Sequence, residues 1–357
     1  MPVPPVGRVS VVLPAALLAA ASLSGEGPAS TDPFAFLQPR IVVSPTDRRQ
    51  LDKGTAIVRV LPGQDRVVGL FAAVATQADG DRLVEWMRQI EALKKSDFVL
   101  QIGHFSQPPR LHDLAGLSLD DDDLADIRRC RPADCTLKLG RAEMEELRRA
   151  AEEGGDSNAG IQVAYRRLVL QRVEAFLRGG HDALPAYESS DPPMLLGPRF
   201  SNLIKQSVLT QSQPRLVEYL ERYPHVALPD LESFIYWSKE RVGPRPIISA
   251  TEVNILRGTD EGKPDALVVG RELFSTHYVN ASLSLTAIVR GTGSRHYLVY
   301  VNRTEIDVLG RFMGGVIRPF IERRLKAGAF ELMQRVRVRV ESGSPQRQVV
   351  GVLTDPR

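Results

Sequence analysis

The side chains best suited to chemistry in this sequence gather in its second half. Tyr236, Trp237, Lys239 and Glu240 lie in one short run that sets two aromatics beside an ion-pair candidate. His277 and Tyr278 open a long alternating segment, and Asn302, Arg303 and Asp307 close the next one. A few polar groups at the mouth of a mostly apolar cavity orient its ligand, and these nine residues are read as such a lining or gate. Glu240, Asp307 or His277 could instead act as an acid or base if held near a substrate in a dry site with a shifted pKa. The plainer alternative makes Tyr236 and Trp237 core anchors and pairs Arg303 with Asp307 at a strand end.

Stronger catalytic signatures are missing. There is no Gly-x-Ser-x-Gly elbow, no His-Glu-x-x-His, no phosphate-binding loop and no dinucleotide fingerprint. His104, His112, His181, His225, His277 and His296 lack ligand spacing, so neither a metal nor a cofactor is expected. The run Asp120 to Asp123 reads as the acidic first turn of a helix, because the alternating ligands and glycine of a calcium loop are absent. Cys130 and Cys135, the only cysteines, are read as a disulfide across a turn that Pro132 helps to set, with two free thiols as the alternative. Their spacing differs from the two-residue gap of thioredoxin-like motifs.

The N-terminus carries the compartment signal. Arg8 precedes an apolar run from Val9 to Ala21, then small residues to Gly25. This predicts a signal peptide over residues 1–24, cleaved after Ala21 or Ser24, and a periplasmic or secreted protein. The run is too short to span a bilayer. Forty-six basic residues against 43 acidic give a net charge of +3, which argues against a nucleic-acid partner. A transient contact with a membrane surface stays open, and a protein partner is unknown.

The elements that must position these residues follow from periodicity. Residues 25–50 read as a linker or loosely docked arm. Residues 51–106 give a hairpin (Thr55 to Val60, Val67 to Ala75), a helix capped by Asp79 with Lys94 and Lys95 in its last turn, and a strand from Phe98 to Phe105. Residues 107–229 form a helical insertion, clearest from Asn158 to Arg178. Residues 230–334 return to strands at Phe234 to Lys239, Ile247 to Leu256, Ala266 to Phe274, His277 to Val289 and Arg295 to Arg303, antiparallel by their short connections. A closing helix from Leu309 carries the stripe Phe312, Met313, Val316, Ile317, Phe320, Ile321 and Leu325, expected to face the sheet, with a kink at Pro319. Residues 335–357, with β-prone runs at Arg335 to Val340 and Arg347 to Leu353, read as a terminal hairpin or tail.

This order of elements, over residues 66–105 and 231–334, resembles the START-like helix-grip superfamily, also called SRPBCC. The run Tyr297-Leu298-Val299-Tyr300-Val301-Asn302-Arg303-Thr304-Glu305-Ile306-Asp307, followed by Gly310 and Gly314-Gly315-Val316-Ile317-Arg318, looks like the last strand and closing helix of that fold, and is similar to uncharacterised exported bacterial members. The resemblance implies an α+β fold in which a curved antiparallel sheet grips the C-terminal helix, with a cavity between them for an apolar small molecule or lipid. The insertion, about 120 residues, departs from the usual short connections. The expected function is an exported binding protein; a cyclase- or hydrolase-type enzyme on the same scaffold and a non-catalytic envelope interaction protein are the alternatives.

Overall fold

A computed structural model describes residues 32–153, 157–258, 263–291, 294–310 and 314–345. The expected signal peptide and the β-prone run Arg347 to Leu353 lie outside them. In chain order the elements are α1 (Pro45–Asp52), β1 (Ile57–Leu61), β2 (Val67–Thr76), α2 (Gly80–Met87), α3 (Ile90–Lys94) and β3 (Val99–His104). Then come the inserted helices α4 (Asp121–Ile127), α5 (Arg141–Glu152), α6 (Ser157–Gly179), α7 (Leu196–Gln206), α8 (Leu209–Ser212) and α9 (Pro214–Arg222). The chain finishes with β4 (Glu232–Glu240), β5 (Ile247–Arg257), β6 (Ala266–Ser275), β7 (Val279–Arg290), β8 (His296–Ile306), a 3-10 turn (Asp307–Gly310) and α10 (Gly314–Glu341).

The fold is α+β. All eight strands form one open antiparallel sheet in the order β1-β2-β8-β7-β6-β5-β4-β3. β3 and β4 are neighbours in the sheet, so the whole insertion is the connection of a single strand pair. Local chemistry explains several ends. Asp79 caps α2 by accepting from the Arg82 amide at 2.9 Å. Ser44 and Asp47 form a capping box at α1, with Pro45 at the first helical position. Gly180, at φ +65°, takes the left-handed conformation that ends α6.

Each side of the sheet is covered. On one side Phe71, Leu283, Leu285, Ala287, Val299 and Val301 pack under Phe34, Leu37 and Ile41 of the N-terminal arm and under Phe200, Leu203 and Leu216 of the insertion. From residue 32 onward the arm is docked by buried side chains, where a linker or a loosely docked arm was expected. The same side continues into the core of the insertion through Ile235, Trp237, Ile248 and Ala250. On the other side Val74, Val253, Val268 and Leu298 pack under Leu83, Trp86, Met87 and Ile90, and under Met333 and Val340 of α10.

Three findings here bear on the sequence reading, the last two as corrections. The apolar edge of β7, from Ala281 to Val289, turns to the arm and the insertion, away from α10, because those segments supply the larger apolar cover. The closing helix does not bury its first half: Val316 is 72% and Phe320 62% exposed, while Ala329, Met333 and Val340 are buried. Phe312 and Met313 lie outside the described residues. The run Arg335 to Val340 continues α10 and forms no hairpin. Its Arg-Val alternation has period two, yet Met333, Val336 and Val340 also recur at helical spacing, and contact with α2 and α3 selects that reading.

Candidate functional site

Residues of a strand point alternately to its two sides. Ser284 and Thr286 of β7 therefore face opposite to Leu283 and Leu285. With Thr251 of β5 and Tyr300 of β8 they form the hydroxyl-rich floor of a cavity of about 160 Å³. Its roof is apolar: Met87, Ile90 and Leu93 from α2 and α3, and Leu332, Met333 and Val336 from α10. Gly270 belongs to the floor because a Cβ there would come within 2.5 Å of the Ser284 hydroxyl.

One end of the cavity is charged. Lys94 closes α3 and reaches Glu240 at 2.5 Å and the Tyr236 hydroxyl at 3.1 Å. Ser238 donates to the same carboxylate at 2.6 Å. Burial by itself would lift the Glu240 pKa, but the Lys94 ammonium holds it below the ordinary glutamate value. Burial likewise opposes the charge on Lys94, and Glu240 more than offsets it, so its pKa lies above that of a free lysine. Asn302 donates to Ser282 at 3.2 Å and accepts from Thr304 at 2.8 Å, extending the polar floor along β7 and β8.

Glu272 of β6 pairs in register with Thr251, so it shares the cavity side of the sheet. Among the described residues no hydrogen bond or ion pair reaches its carboxyl. Burial, reinforced by the Glu240 charge, pushes its pKa up to about 8. The folded protein thus holds this proton more tightly than the unfolded chain, whose glutamate titrates near 4.5. The group is harmless to stability below that pH and increasingly destabilising as pH rises toward 8. Glu272→Gln is therefore expected to gain on the order of 3 kcal/mol over wild type at about pH 8.5 and nothing at about pH 4.5. Urea midpoints at the two pH values check this; equal gains at both would refute it.

The nine residues singled out from sequence fall into three places. Tyr236 lines this cavity, Glu240 meets Lys94 at its charged end, and Asn302 lies beyond its lining on the same side of the sheet. Trp237 and Lys239 alternate to the other side, where the indole donates to the Asp113 carbonyl at 2.8 Å and the ammonium to the Ser118 carbonyl at 2.8 Å. Arg303 also faces that side and donates to the Pro62 carbonyl at 3.0 Å. His277, Tyr278 and Asp307 lie at the rim, around a polar cleft of about 700 Å³ beside the insertion. His277 is buried between Asp123 and the Thr136 carbonyl, each at 3.0 Å. The Arg303–Asp307 pair of the plainer alternative does not form: Asp307 meets Lys138 at 3.2 Å instead.

Lys94, Thr251, Glu272 and Lys138 were not foreseen. Glu272 had a partial signal: it adjoins Arg271 in an alternating strand, so the two must face opposite sides of the sheet. Cys130 and Cys135 are joined by a disulfide, consistent with an oxidising extracellular compartment. Among the described residues no helix is long and apolar enough to cross a membrane, and no cluster of ligating side chains could hold a metal.

No protein-family model matches the chain, and no curated protein matches it. Among solved structures it is similar to TTHA0849 from Thermus thermophilus, with 11% identity and a TM-score of 0.26 over 42% of this chain and 92% of that one. A likeness of that size carries no inference about fold or function.

Proposed function

We propose that the protein is an exported carrier of a small amphipathic molecule, held between the sheet and α10 in the manner of helix-grip proteins. The supporting observation is the 160 Å³ space with an apolar roof and a hydroxyl floor. Cavities of roughly 150 Å³ lined by apolar groups accept a single aromatic ring. This one adds Thr251, Ser284, Thr286 and Tyr300 as partners for a polar substituent on such a ring. A longer lipid-like ligand fits only if α10 lifts, and its exposed first half leaves that half without an apolar seat to lose. The disulfide and the charged-apolar-small N-terminus support action outside the cytoplasm.

p-Cresol, a ring with one hydroxyl, is the direct probe. Calorimetry is expected to show saturable binding to wild type and at least tenfold weaker binding to Ser284→Phe, whose ring fills the floor. Circular dichroism establishes that the variant is folded. Equal heats for the two proteins, or none for wild type together with no small molecule in native mass spectra of protein purified from its own host, would overturn the proposal.

A further inference from the structure

The rim cleft holds polar capacity that the protein itself leaves unused. It is bounded by the disulfide loop, the segment 187–194, the start of β7 and the 3-10 turn after β8, and its volume of about 700 Å³ is that of an ordinary ligand pocket. Lys138 forms the floor. It is 8% exposed, and its ammonium donates to Asn280 at 2.7 Å and to Asp307 Oδ2 at 3.2 Å. The third ammonium hydrogen meets no acceptor among the described residues; the Tyr187 ring centre lies 5.7 Å away. Beside it, Asp307 Oδ1 is buried and accepts no hydrogen bond. A donor hydrogen and an acceptor thus stand side by side with no partner among the described residues, and a buried polar group left so is costly.

Arginines add charge around the cleft. Arg199 pairs with buried Glu305 at 3.4 Å, and Arg245 with Asp126 at 2.5 Å. Arg66 has no ion pair or side-chain hydrogen bond among the described residues, although it lines both this cleft and an adjoining recess of about 420 Å³ that it shares with Arg199. With Lys138 balanced by Asp307, Arg199 by Glu305 and Arg245 by Asp126, Arg66 is the arginine of the cleft without a counter-charge among the described residues. Asp134 and Asp191 are exposed at the mouth and disfavour a ligand that is anionic along its whole length.

We infer that the rim cleft is a second binding site, independent of the cavity under α10, for a small hydroxylated anion. Its carboxylate or phosphate meets Arg66 and Arg199, an oxygen accepts from Lys138, and a neighbouring hydroxyl donates to Asp307 Oδ1. The shape of the unused groups selects the class: an acceptor next to a donor at the floor matches one hydroxylated carbon, and the guanidinium fork matches a planar carboxylate or a phosphate.

Calorimetric titration with gluconate and with glycerol 3-phosphate separates the two anion types, and acetate and glucose supply the anion and the hydroxyls alone. Gluconate or glycerol 3-phosphate is expected to saturate wild type at least tenfold more tightly than acetate or glucose. Arg66→Gln, which removes no ion pair or side-chain hydrogen bond among the described residues, is expected to weaken that binding at least tenfold with unchanged thermal unfolding. Lys138→Met tests the floor, and where it fails to fold the Arg66→Gln result stands by itself. Failure of both hydroxylated anions to bind, or equal binding by wild type and Arg66→Gln, would overturn the inference. Neither result bears on p-cresol binding under α10.

Discussion

Replacing Glu252 with alanine is expected to lower stability by about 3–5 kcal/mol, because it strips the counter-charge from a guanidinium with no access to water. Arg271 of β6 is fully buried. Its Nε donates to Glu252 at 2.8 Å, a second nitrogen meets the same oxygen, and Nη1 donates to the Leu220 carbonyl at 2.6 Å. Phe176, Phe200, Tyr219 and Tyr223 surround the guanidinium carbon at 4.7 to 6.0 Å from their ring centres. These rings come from α6, α7, α9 and the segment just after α9, so one charged group ties three inserted helices to the sheet. Without Glu252 the cation keeps the rings and a single carbonyl, too little to offset its desolvation. The double variant Glu252→Leu with Arg271→Met is expected to recover most of the loss, since removing both charges leaves no unpaired ion. Chemical denaturation of the three proteins checks this; a loss below about 1 kcal/mol in Glu252→Ala would sink the assignment.

Trp237→Ala is expected to cost a similar amount, about 3–5 kcal/mol, for a different reason. The indole is buried among Leu114, Leu117, Ile248 and Ala250 and bonds the Asp113 carbonyl, joining the first turn of the insertion to β4. It also lies flat against Gly103 of β3, where a Cβ would come within 2.9 Å of the ring. Truncation opens a cavity on a strand whose neighbour has no side chain to fill it. Trp237→Phe keeps most of the packing and loses the hydrogen bond, so its cost is expected near 1–2 kcal/mol. Urea unfolding that ranks the two variants in the other order would contradict the packing described.

The strands were readable because turn residues bracket each alternating run, and every strand from β1 to β8 falls within about three residues of its expected bounds. What covers each side was not readable. Alternation in β7 shows that Ala281 to Val289 need a partner layer; it does not say whether α10 or the insertion provides it. The end of α10 was misread because Arg335 to Val340 satisfies two periods at once. For the site, a period of two already forbids Tyr236 and Trp237, or Lys239 and Glu240, from acting on one ligand, and that constraint was available in the sequence. The pairings that build the polar clusters were not. Lys94 meets Glu240 across 146 positions and Lys138 meets Asp307 across 169, separations at which local pattern carries no information.

The place of β2 in the sheet has a consequence for the order of assembly. Its register partner on one side is β1, a few residues away, and on the other β8, with Val67 opposite Glu305. Closing a loop that long has a high entropic cost before any contact rewards it, so sheets built on such pairings fold slowly. The first hairpin must wait, with one side unpaired, until β8 has been made. A chain that cannot complete its sheet early remains threadable for longer, a useful property for any protein that crosses a membrane before it folds.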